Sequence, residues 1–397
     1  MRIVFVTTKL NFITSGASVQ ELDIKIRTLI ELGHEVMVVT MFSSANNIPE
    51  LLPYKVIEEK WSGSQLKTQW GTYRMLKKYE SQTDVFFIDG QVFLYGAGLY
   101  RLLGGKRPVC AHFNRELQAW PEFVSSLFGV PRKNPLLKIK QKIRFYIEKI
   151  FFIPFANHID AASFTNPYLQ KTYKDFGFSP RISFVAGDAF DYIGFMHRYD
   201  VTEDSYRTHL KRTGPYTIYY SSRMAPGKGF DTLIVAFSKL KNKNDYRLVL
   251  GGAGPEEQNM KELVHTLGLE EYVTYTGWAP KVEHYKRLRD ITDIFVQPSQ
   301  SGLDKTSYIL LESMAFGIPS VLPGGGGLEW DAKDSAIYFK AGDTNDLAGK
   351  IEKLGNDHEL RSALSVKAYE RLKEEEMDYH SQVSMWEKKI HQLLETK

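Results

Sequence analysis

The chain has 397 residues, of which 43% are hydrophobic and 25% are charged, and its formal net charge is +4. This length exceeds the size at which a single hydrophobic core usually stops growing, so two domains are expected. The composition excludes a disordered chain, and the small positive charge gives no reason to expect nucleic acid as a partner.

Three features bear on where the protein works. Cys110 is the single cysteine, so no disulfide forms within the chain, which suits a reducing compartment. The short apolar run at the N-terminus predicts a buried strand rather than a signal peptide. No stretch reaches the roughly 18 consecutive apolar residues that a membrane span requires. We therefore expect a cytoplasmic protein, with peripheral contact at the inner membrane face as the further possibility.

The first half of the chain predicts an α/β unit. Ile3–Thr7 is a continuous apolar run, typical of a buried parallel strand. Apolar residues three and four positions apart then predict a helix that stops near Gly33, namely Val19, Leu22, Ile26, Leu29 and Ile30. Val36–Thr40 completes a βαβ unit. Further short strands are predicted at Val85–Ile88, Val109–His112 and Ala161–Thr165.

The pattern fades between Asp188 and Pro215 and then starts again, which predicts a second domain. After the strand Tyr216–Tyr220 and the helix Phe230–Leu240, strands are predicted at Arg247–Leu250, Tyr272–Thr276, Ile294–Gln297, Ser320–Leu322 and Ala336–Phe339, with a final helix at Met385–Leu394. We expect two Rossmann-like, doubly wound α/β domains. The predicted boundaries are 1–190, a linker at 191–214, 215–380, and a C-terminal helix at 381–397 that packs back on the first domain.

A basic loop follows the strand at Tyr216–Tyr220. Arg223 and Lys228 stand five residues apart in it, among glycines and a proline. Arginine offers planar bidentate donors and lysine a compact charge, a combination that suits a diphosphate. The glycines allow close approach of the backbone. A solvated basic turn is the alternative interpretation.

A second polar loop leaves the strand at Ile294–Gln297 and runs into an apolar helix. Thr306 or Ser307 can cap that helix, so the amide groups near Ser307 and Tyr308 predict an anion site. Glu312 lies about one turn inside, where a carboxylate could accept hydrogen bonds from two ribose hydroxyls. The alternative is that Glu312 is an exposed helix residue and Asp304 a turn-former in the loop.

These motifs resemble glycosyltransferase family four, whose members are retaining enzymes with the GT-B fold. Arg223 and Lys228 match the family's Arg–four residues–Lys motif, and Asp304 and Glu312 match its Glu–seven residues–Glu motif. The segment 311–319 follows the family pattern Leu-Glu-Ala-Met-Ala-x-Gly-x-Pro closely. The sequence departs from the family at Asp304, where Glu is usual, and at 305–307, which read Lys-Thr-Ser instead of the family's glycines.

Other short segments resemble loops of the same family. Gly16 stands at the position of the family's Gly-rich loop, Gly252 lies in a Gly-rich turn, and Trp278 follows a strand where the resemblance implies contact with the nucleotide base. His112 ends a predicted strand, and the resemblance places it near the donor sugar. Asn114, with Arg115 and Glu116, is a candidate on the acceptor side. A histidine whose hydrogen bonds are satisfied at a strand end is the alternative for His112.

The resemblance implies a hexosyltransferase of glycan biosynthesis, with two domains facing across a cleft. A sugar would pass from a nucleotide-diphosphate donor to an acceptor hydroxyl, on a glycan or a lipid-linked molecule, with retention of configuration. Arg223 and Lys228 would stabilise the leaving diphosphate, while Asp304 would hold the sugar hydroxyls and Glu312 the ribose. The donor is a co-substrate, so no cofactor is expected. No metal is expected either, because the ten histidines are scattered.

Three other classes of protein are alternatives to a glycosyltransferase. A nucleotide-sugar epimerase or hydrolase with the same fold would turn over the donor without an acceptor. A non-catalytic partner subunit with the same fold would bind the donor weakly or not at all. A nicotinamide-dependent oxidoreductase would need a Gly-x-Gly-x-x-Gly turn after a strand, and the loop after Thr7 has a single glycine.

The segment 136–153 predicts a basic amphipathic helix. Its apolar residues fall on one face and its lysines roughly opposite, namely Leu136, Ile139, Ile143, Ile147 and Ile150 against Lys138, Lys142 and Lys149. In one interpretation the apolar face packs on the protein's own sheet and the basic face is solvated. In the other the helix contacts an anionic membrane, which would suit a lipid-linked acceptor.

Overall fold

The computed structural model describes residues 1–12, 16–49, 51–60, 64–114, 135–202, 210–212, 214–299 and 307–395. The chain forms two compact units. Among the described residues, the first unit contains 1–114, 135–190 and 375–395, and the second contains 191–374.

The first unit is a parallel sheet of seven strands in the order β3-β2-β1-β4-β5-β6-β7. Its strands are β1 (Arg2–Thr7), β2 (Glu35–Thr40), β3 (Lys55–Glu58), β4 (Val85–Asp89), β5 (Val109–Phe113), β6 (Ala161–Phe164) and β7 (Ile182–Val185). Its helices are α1 (Gly16–Glu31), α2 (Gln65–Tyr79), α3 (Leu94–Leu102), α4 (Pro135–Ile147), α5 (Ile153–Ala156) and α6 (Pro167–Phe176). The C-terminal helix α15 (Tyr379–Glu395) also belongs to this unit.

Helices cover both faces of this sheet, as the continuous apolar strands require. Alternate residues of β1 face opposite layers: Ile3 and Phe5 pack in the cluster that includes α1 and α15, and Val4 and Val6 in the cluster that includes α2 and α3. The ring of Trp386 in α15 lies 4.6 Å from that of Phe87 in β4. The C-terminal helix is therefore part of the first core.

The second unit is a parallel sheet of six strands in the order β10-β9-β8-β11-β12-β13. Its strands are β8 (Tyr216–Ser221), β9 (Tyr246–Gly251), β10 (Val273–Gly277), β11 (Ile294–Val296), β12 (Ser320–Pro323) and β13 (Ala336–Phe339). Its helices are α7 (Tyr192–Arg198), α8 (Phe230–Ser238), α9 (Glu257–Thr266), α10 (Lys281–Ile291), α11 (Tyr308–Ala315), α12 (Gly327–Ala332), α13 (Thr344–Asn356) and α14 (His358–Leu372).

The prediction of two doubly wound α/β sheets is confirmed. In each sheet the strand order reverses beside one strand, β1 in the first unit and β8 in the second. Ligands of open parallel sheets bind outside the carboxyl ends of the strands at such a point. The loops after β8 and β11 are therefore where the second unit should hold a ligand.

The segment 191–214, taken from the sequence as a linker, contains α7 and lies with the second unit. Asp191 caps α7 by accepting a hydrogen bond from the Gly194 amide at 2.8 Å. The ring of Phe195 packs against Tyr285 and Phe316, with centroids 5.2 and 5.3 Å apart. These aromatic contacts tie α7 to α10 and to the end of α11.

Candidate functional site

The basic loop after β8 is held against the turn that follows β9. The amide of Ser222 donates to the Gly251 carbonyl at 3.2 Å, and the amide of Met224 donates to the Ala253 carbonyl at 3.0 Å. Gly252 has a φ of +101°, and a Cβ there would overlap the Ser222 carbonyl oxygen. Only glycine combines this backbone conformation with so close an approach. Gly252 therefore supports the Arg223 loop from behind.

The Lys228 end of the loop lies beside the end of β11. The Tyr220 hydroxyl donates to the Lys228 carbonyl at 3.1 Å. Gly229 has a φ of +76°, and a Cβ there would overlap the Pro298 carbonyl oxygen. The loop after β8 is thus packed directly on the residues that follow β11, which is the point where the strand order reverses.

The loop after β8 carries two cations, Arg223 and Lys228. Arg223 is exposed and Lys228 is partly buried. Neither side chain makes an ion pair with a carboxylate in the part of the chain that the structure describes. Uncompensated positive charge at the carboxyl edge of a parallel sheet favours an anionic ligand, and Arg with Lys suits phosphate oxygens.

Helix α11 follows the second polar loop in the sequence. Ser307 occupies the N-cap position, and its carbonyl accepts from the amides of Leu310 and Leu311 at 2.8 and 3.1 Å. Ser307 is therefore the N-cap residue, one of the two that the sequence offered, although its hydroxyl makes no capping hydrogen bond. Tyr308 is the first helical residue, and the helix start carries the positive end of the macrodipole. Asp304 and Thr306 lie outside the described residues.

Glu312 is buried, so the interpretation of it as an exposed helix residue is wrong. Its Oε1 accepts from the Tyr285 hydroxyl at 3.0 Å, and its Oε2 lies 3.2 Å from His284 Nε2. The other ring nitrogen of His284 lies 2.9 Å from the Tyr219 hydroxyl. Because the carboxylate only accepts, Nε2 of His284 carries the proton and Nδ1 accepts from Tyr219. A hydrogen-bonded chain therefore connects β8 to α11 through α10.

Glu312 influences the pKa values of two neighbouring groups. Burial, reinforced by the charge of Glu312, raises the pKa of Tyr285 well above its usual range, so the phenol keeps the proton that it donates. Burial lowers the pKa of Lys281, and the nearby Glu312 carboxylate opposes that change. Lys281 and Glu312 thus place opposite charges near each other on the α10 and α11 side of the sheet.

Trp278 directly follows β10, and 70% of its surface is exposed. An exposed indole offers an apolar face for a ring to stack on. The resemblance implied a contact with the nucleotide base at this residue, and that role stays a prediction. Gly16 begins α1 in the first unit, so it belongs to the other compact unit.

The first unit has a polar cluster of its own, at the carboxyl end of its sheet. His112 in β5 is buried, with Nε2 3.0 Å from Glu21 Oε1 and Nδ1 2.6 Å from the Ser163 hydroxyl. Lys25, one turn after Glu21 on α1, donates to the same carboxylate. Asp89, at the end of β4, accepts from Thr7 at 2.9 Å. These groups converge from α1 and from β1, β4, β5 and β6.

Charge balance determines the protonation of this cluster. Burial by itself would raise the pKa of Glu21, but the Lys25 ammonium and the His112 hydrogen bond hold it well below its usual value. Burial and the Lys25 charge lower the pKa of His112, so its ring is neutral at neutral pH. Burial and the neighbouring Glu21 raise the pKa of Asp89. The cluster therefore contains one firm ion pair, Glu21 with Lys25, beside a neutral imidazole.

Glu21, His112 and Asp188 each place one ligand-type atom within 4.8 Å of the others. A metal ion there would lie close to the Lys25 ammonium, which already bonds to Glu21 and repels another cation. The arrangement favours an ion-pair network over a metal centre. Asn114, which follows β5 directly, is buried as well. Arg115 and Glu116 lie outside the described residues.

Four residues of these sites carry no functional signal in the sequence, namely Glu21, Lys25, His284 and Tyr285. Glu and Lys four residues apart usually form an exposed pair on a helix, so the first two carried no signal of burial. His284 and Tyr285 stand in a polar helix whose acidic partner is 27 residues or more downstream. Only the packing of α10 against α11 brings them to Glu312.

Solved structures resemble this chain over nearly its whole length. HepE of Anabaena, solved in complex with UDP, has a TM-score of 0.70 and 15% sequence identity, over 99% of this chain and 100% of that one. Sucrose-phosphate synthase of Thermosynechococcus elongatus has a TM-score of 0.75 and 15% identity, over 100% of both chains. At this identity the likeness establishes the fold alone. The two units have the GT-B fold.

The sequence comparisons point to one family. Residues 201–371 match the family model described as Glycosyl transferases group 1. The lipopolysaccharide core biosynthesis glycosyltransferase LpsE of Rhizobium meliloti is 30% identical over 38% of this chain and 42% of the relative. A GDP-mannose-dependent phosphatidylinositol monomannoside mannosyltransferase of Mycobacterium tuberculosis is 30% identical over 28% of this chain and 30% of the relative. These alignments cover less than half the length of the relatives. The resemblance to glycosyltransferases that the motifs predicted is confirmed.

The structure also bears on the membrane. Among the helices of the described residues, none combines the length and apolar character that crossing a bilayer requires.

Proposed function

We propose that this protein is a retaining glycosyltransferase that moves a hexose-type sugar from a nucleotide-diphosphate sugar to an acceptor hydroxyl. The acceptor is a glycan or a lipid-linked molecule. The observation that carries the proposal is the pair of cations in the loop after β8, Arg223 and Lys228, which form no ion pair with any acidic residue that the structure describes. That loop stands where the strand order of the second sheet reverses, and parallel sheets bind ligands there.

The proposed chemistry follows from the charge that develops in the reaction. The bond between the anomeric carbon and the diphosphate oxygen breaks while the acceptor oxygen bonds to the same carbon. The acceptor proton passes to the departing phosphate oxygen, so no side chain has to act as the base. Arg223, Lys228 and the start of α11 stabilise the growing negative charge, which is the kind of preorganised stabilisation that contributes most to catalysis.

Two carboxylates complete the proposed donor site. Asp304 holds the hydroxyls of the donor sugar, as its match to the family motif implies. Glu312 accepts from the ribose hydroxyls, for which its buried carboxylate is suited. His112 and Asn114 contribute on the donor-sugar and acceptor side. The donor is the co-substrate, so the proposal requires no further cofactor and no metal.

The comparisons support a nucleotide-sugar donor without identifying its base. The name of the Mycobacterium tuberculosis relative specifies GDP-mannose, whereas structures of HepE are described with UDP, with UDP and glucose, and with UDP-glucose. We propose a cytoplasmic location, since the single, buried Cys110 suits a reducing compartment.

Calorimetric titration of the full chain with UDP and with GDP tests the donor site. We expect one of them to bind, and Arg223→Ala to weaken that binding by roughly tenfold or more, because a charge-assisted hydrogen bond contributes about 1.5–3 kcal/mol. Arg247→Ala, which removes an exposed arginine in β9 of the same unit, is the control and should bind as the wild type does. Unchanged affinity in Arg223→Ala overturns the assignment.

A product assay distinguishes the proposed transferase from two alternatives with the same fold, an epimerase or hydrolase and a non-catalytic partner subunit. The wild type should consume a nucleotide sugar only when an acceptor is added. Turnover of the donor in the absence of any acceptor would instead favour an epimerase or hydrolase. Absence of nucleotide binding altogether would favour a non-catalytic partner subunit.

A further inference from the structure

One helical segment of the first unit presents its apolar face to solvent. Residues 135–156 run through α4, a π-helical turn at Glu148–Phe152, and α5. Four isoleucines at helical spacing form what we call the apolar stripe, with exposed fractions from 43% to 59%: Ile139, Ile143, Ile147 and Ile150. Tyr146 and Phe151 beside the stripe are also more than half exposed. Adjacent large apolar side chains at this exposure mark an interaction surface.

The opposite face of the segment fixes the helix in place. Glu148 is buried, and its carboxylate accepts from the Tyr95 hydroxyl and from Arg144 Nε, both at 2.8 Å. Phe145 packs against Phe176 with ring centroids 4.8 Å apart. The inward face is therefore occupied by other residues of the same segment. The interpretation in which the stripe packs on the protein's own sheet is wrong.

The exposed charges of the segment 135–156 itself all have one sign. Glu148 is the single acidic residue of 135–156, and it is buried. Lys140, Lys142 and Lys149 are exposed. Of these, Lys149 donates to the Asp175 carbonyl at 3.2 Å while keeping its charge at the surface. The side chain of Lys138 lies outside the described residues. The outward surface of this segment is thus apolar and cationic, with no exposed carboxylate.

We propose that the apolar stripe and its lysines dock this protein on a bilayer surface that carries anionic headgroups. A helix with an exposed apolar face and flanking lysines lies in the interface, with its apolar residues among the acyl chains and its ammonium groups among the headgroup phosphates. A second copy of the chain is a poorer occupant, because it would bring the same positive charge to the contact. The surface is independent of the proposed donor site, because it lies in the first unit and its residues take no part in that site.

Co-sedimentation of the full-length protein with vesicles tests the surface. We expect binding to phosphatidylcholine vesicles that contain phosphatidylglycerol and much weaker binding to phosphatidylcholine alone. Replacing Lys140 and Lys142 together by Gln should weaken binding about 25-fold, since each lysine near an anionic surface contributes about fivefold. Replacing Ile143 and Ile150 together by Ser should weaken it roughly tenfold or more. All four side chains are exposed, so the fold should be unchanged.

Two double variants at other exposed positions serve as controls, one for the loss of lysine charge and one for the replacement of apolar side chains by serine. Lys67→Gln with Lys388→Gln removes two exposed lysines of the first unit, and Leu66→Ser with Ile193→Ser removes two exposed apolar side chains. Both should bind vesicles as the wild type does. Equal binding to neutral and anionic vesicles, or wild-type binding by the stripe variants, overturns the proposal. Concentration-dependent self-association that the Ile143 and Ile150 changes abolish would assign the stripe to a second copy instead. Nucleotide calorimetry reads the donor site separately, so the two proposals can fail independently.

Discussion

The imidazole of His112 lies against the carboxylate of Glu21, with His112 Nε2 3.0 Å from Glu21 Oε1 and both side chains at most 5% exposed. Nδ1 of His112 is hydrogen-bonded to the Ser163 hydroxyl at 2.6 Å. Nε2 is buried and makes no hydrogen bond of suitable geometry with the residues that the structure describes. The predicted role of His112 near the donor sugar would therefore use Nε2, the ring nitrogen that faces Glu21.

Breaking the Glu21–Lys25 ion pair should lower the free energy of unfolding, whereas replacing both residues together should change it little. Glu21→Leu leaves the Lys25 ammonium buried without its carboxylate, so we expect the free energy of unfolding to fall by about 3–5 kcal/mol. The double variant Glu21→Leu, Lys25→Met removes both charges and should recover most of that loss. Urea unfolding of the three proteins checks this. A single variant within about 1 kcal/mol of the wild type would contradict the buried ion pair.

Stability should depend on pH through His112. Its pKa is lowered by burial and by Lys25, against the opposing charges of Glu21 and Asp89, so the unfolded chain takes up a proton more readily than the folded one. The free energy of unfolding should therefore fall as the pH drops below about 6.5, by up to about 1.4 kcal/mol per pH unit. In His112→Gln this contribution is absent. The stability difference between wild type and variant should shrink from pH 7.5 to pH 5.5, and a constant difference would refute the assignment.

Glu312 should provide discrimination between ribose and deoxyribose. If its carboxylate accepts from the ribose hydroxyls, the wild type should bind a ribonucleoside diphosphate more tightly than the matching 2′-deoxy compound, and Glu312→Ala should lose that preference. Tyr285→Phe removes one donor to the same carboxylate and should keep the preference while lowering stability by about 1.5–3 kcal/mol. Calorimetry with the paired nucleotides measures the first effect. A preference that survives in Glu312→Ala would place the ribose elsewhere.

Replacement by alanine should be tolerated less well at Gly229 than at Gly268, a glycine with a similar backbone conformation. Gly229 and Gly268 have φ values of +76° and +63°, but a Cβ at Gly229 would overlap the Pro298 carbonyl, whereas one at Gly268 meets nothing within 4 Å. Gly268→Ala should cost about 1 kcal/mol from backbone strain. Gly229→Ala should cost more and should also weaken nucleotide binding, because the Lys228 loop must move. Thermal unfolding of both variants measures the loss of stability, and calorimetry measures the change in nucleotide binding.

Sequence reasoning located the central strands but not two strands at the edges of the first sheet. The predicted strand Val85–Ile88 is observed as Val85–Asp89, and the predicted strand Ile3–Thr7 is observed as Arg2–Thr7. In contrast, β3 and β7 were not predicted, and both are edge strands. An edge strand is partly exposed, as in Lys55–Glu58 with no fully buried residue. It therefore lacks the continuous apolar run that identifies a strand buried on both faces.

By itself, the sequence determined the class of fold and the basic loop at Arg223 and Lys228, because apolar periodicity and local spacing follow directly from neighbouring residues. Tertiary structure alone decided which charges are buried and which apolar residues are exposed. Glu21 and Lys25 are buried, although a Glu–Lys pair at this helical spacing is usually exposed. Ile143 and Ile150 are exposed, although apolar residues at helical spacing usually pack in the core. Periodicity defines the two faces of a helix, but only packing against the rest of the chain determines which face turns inward.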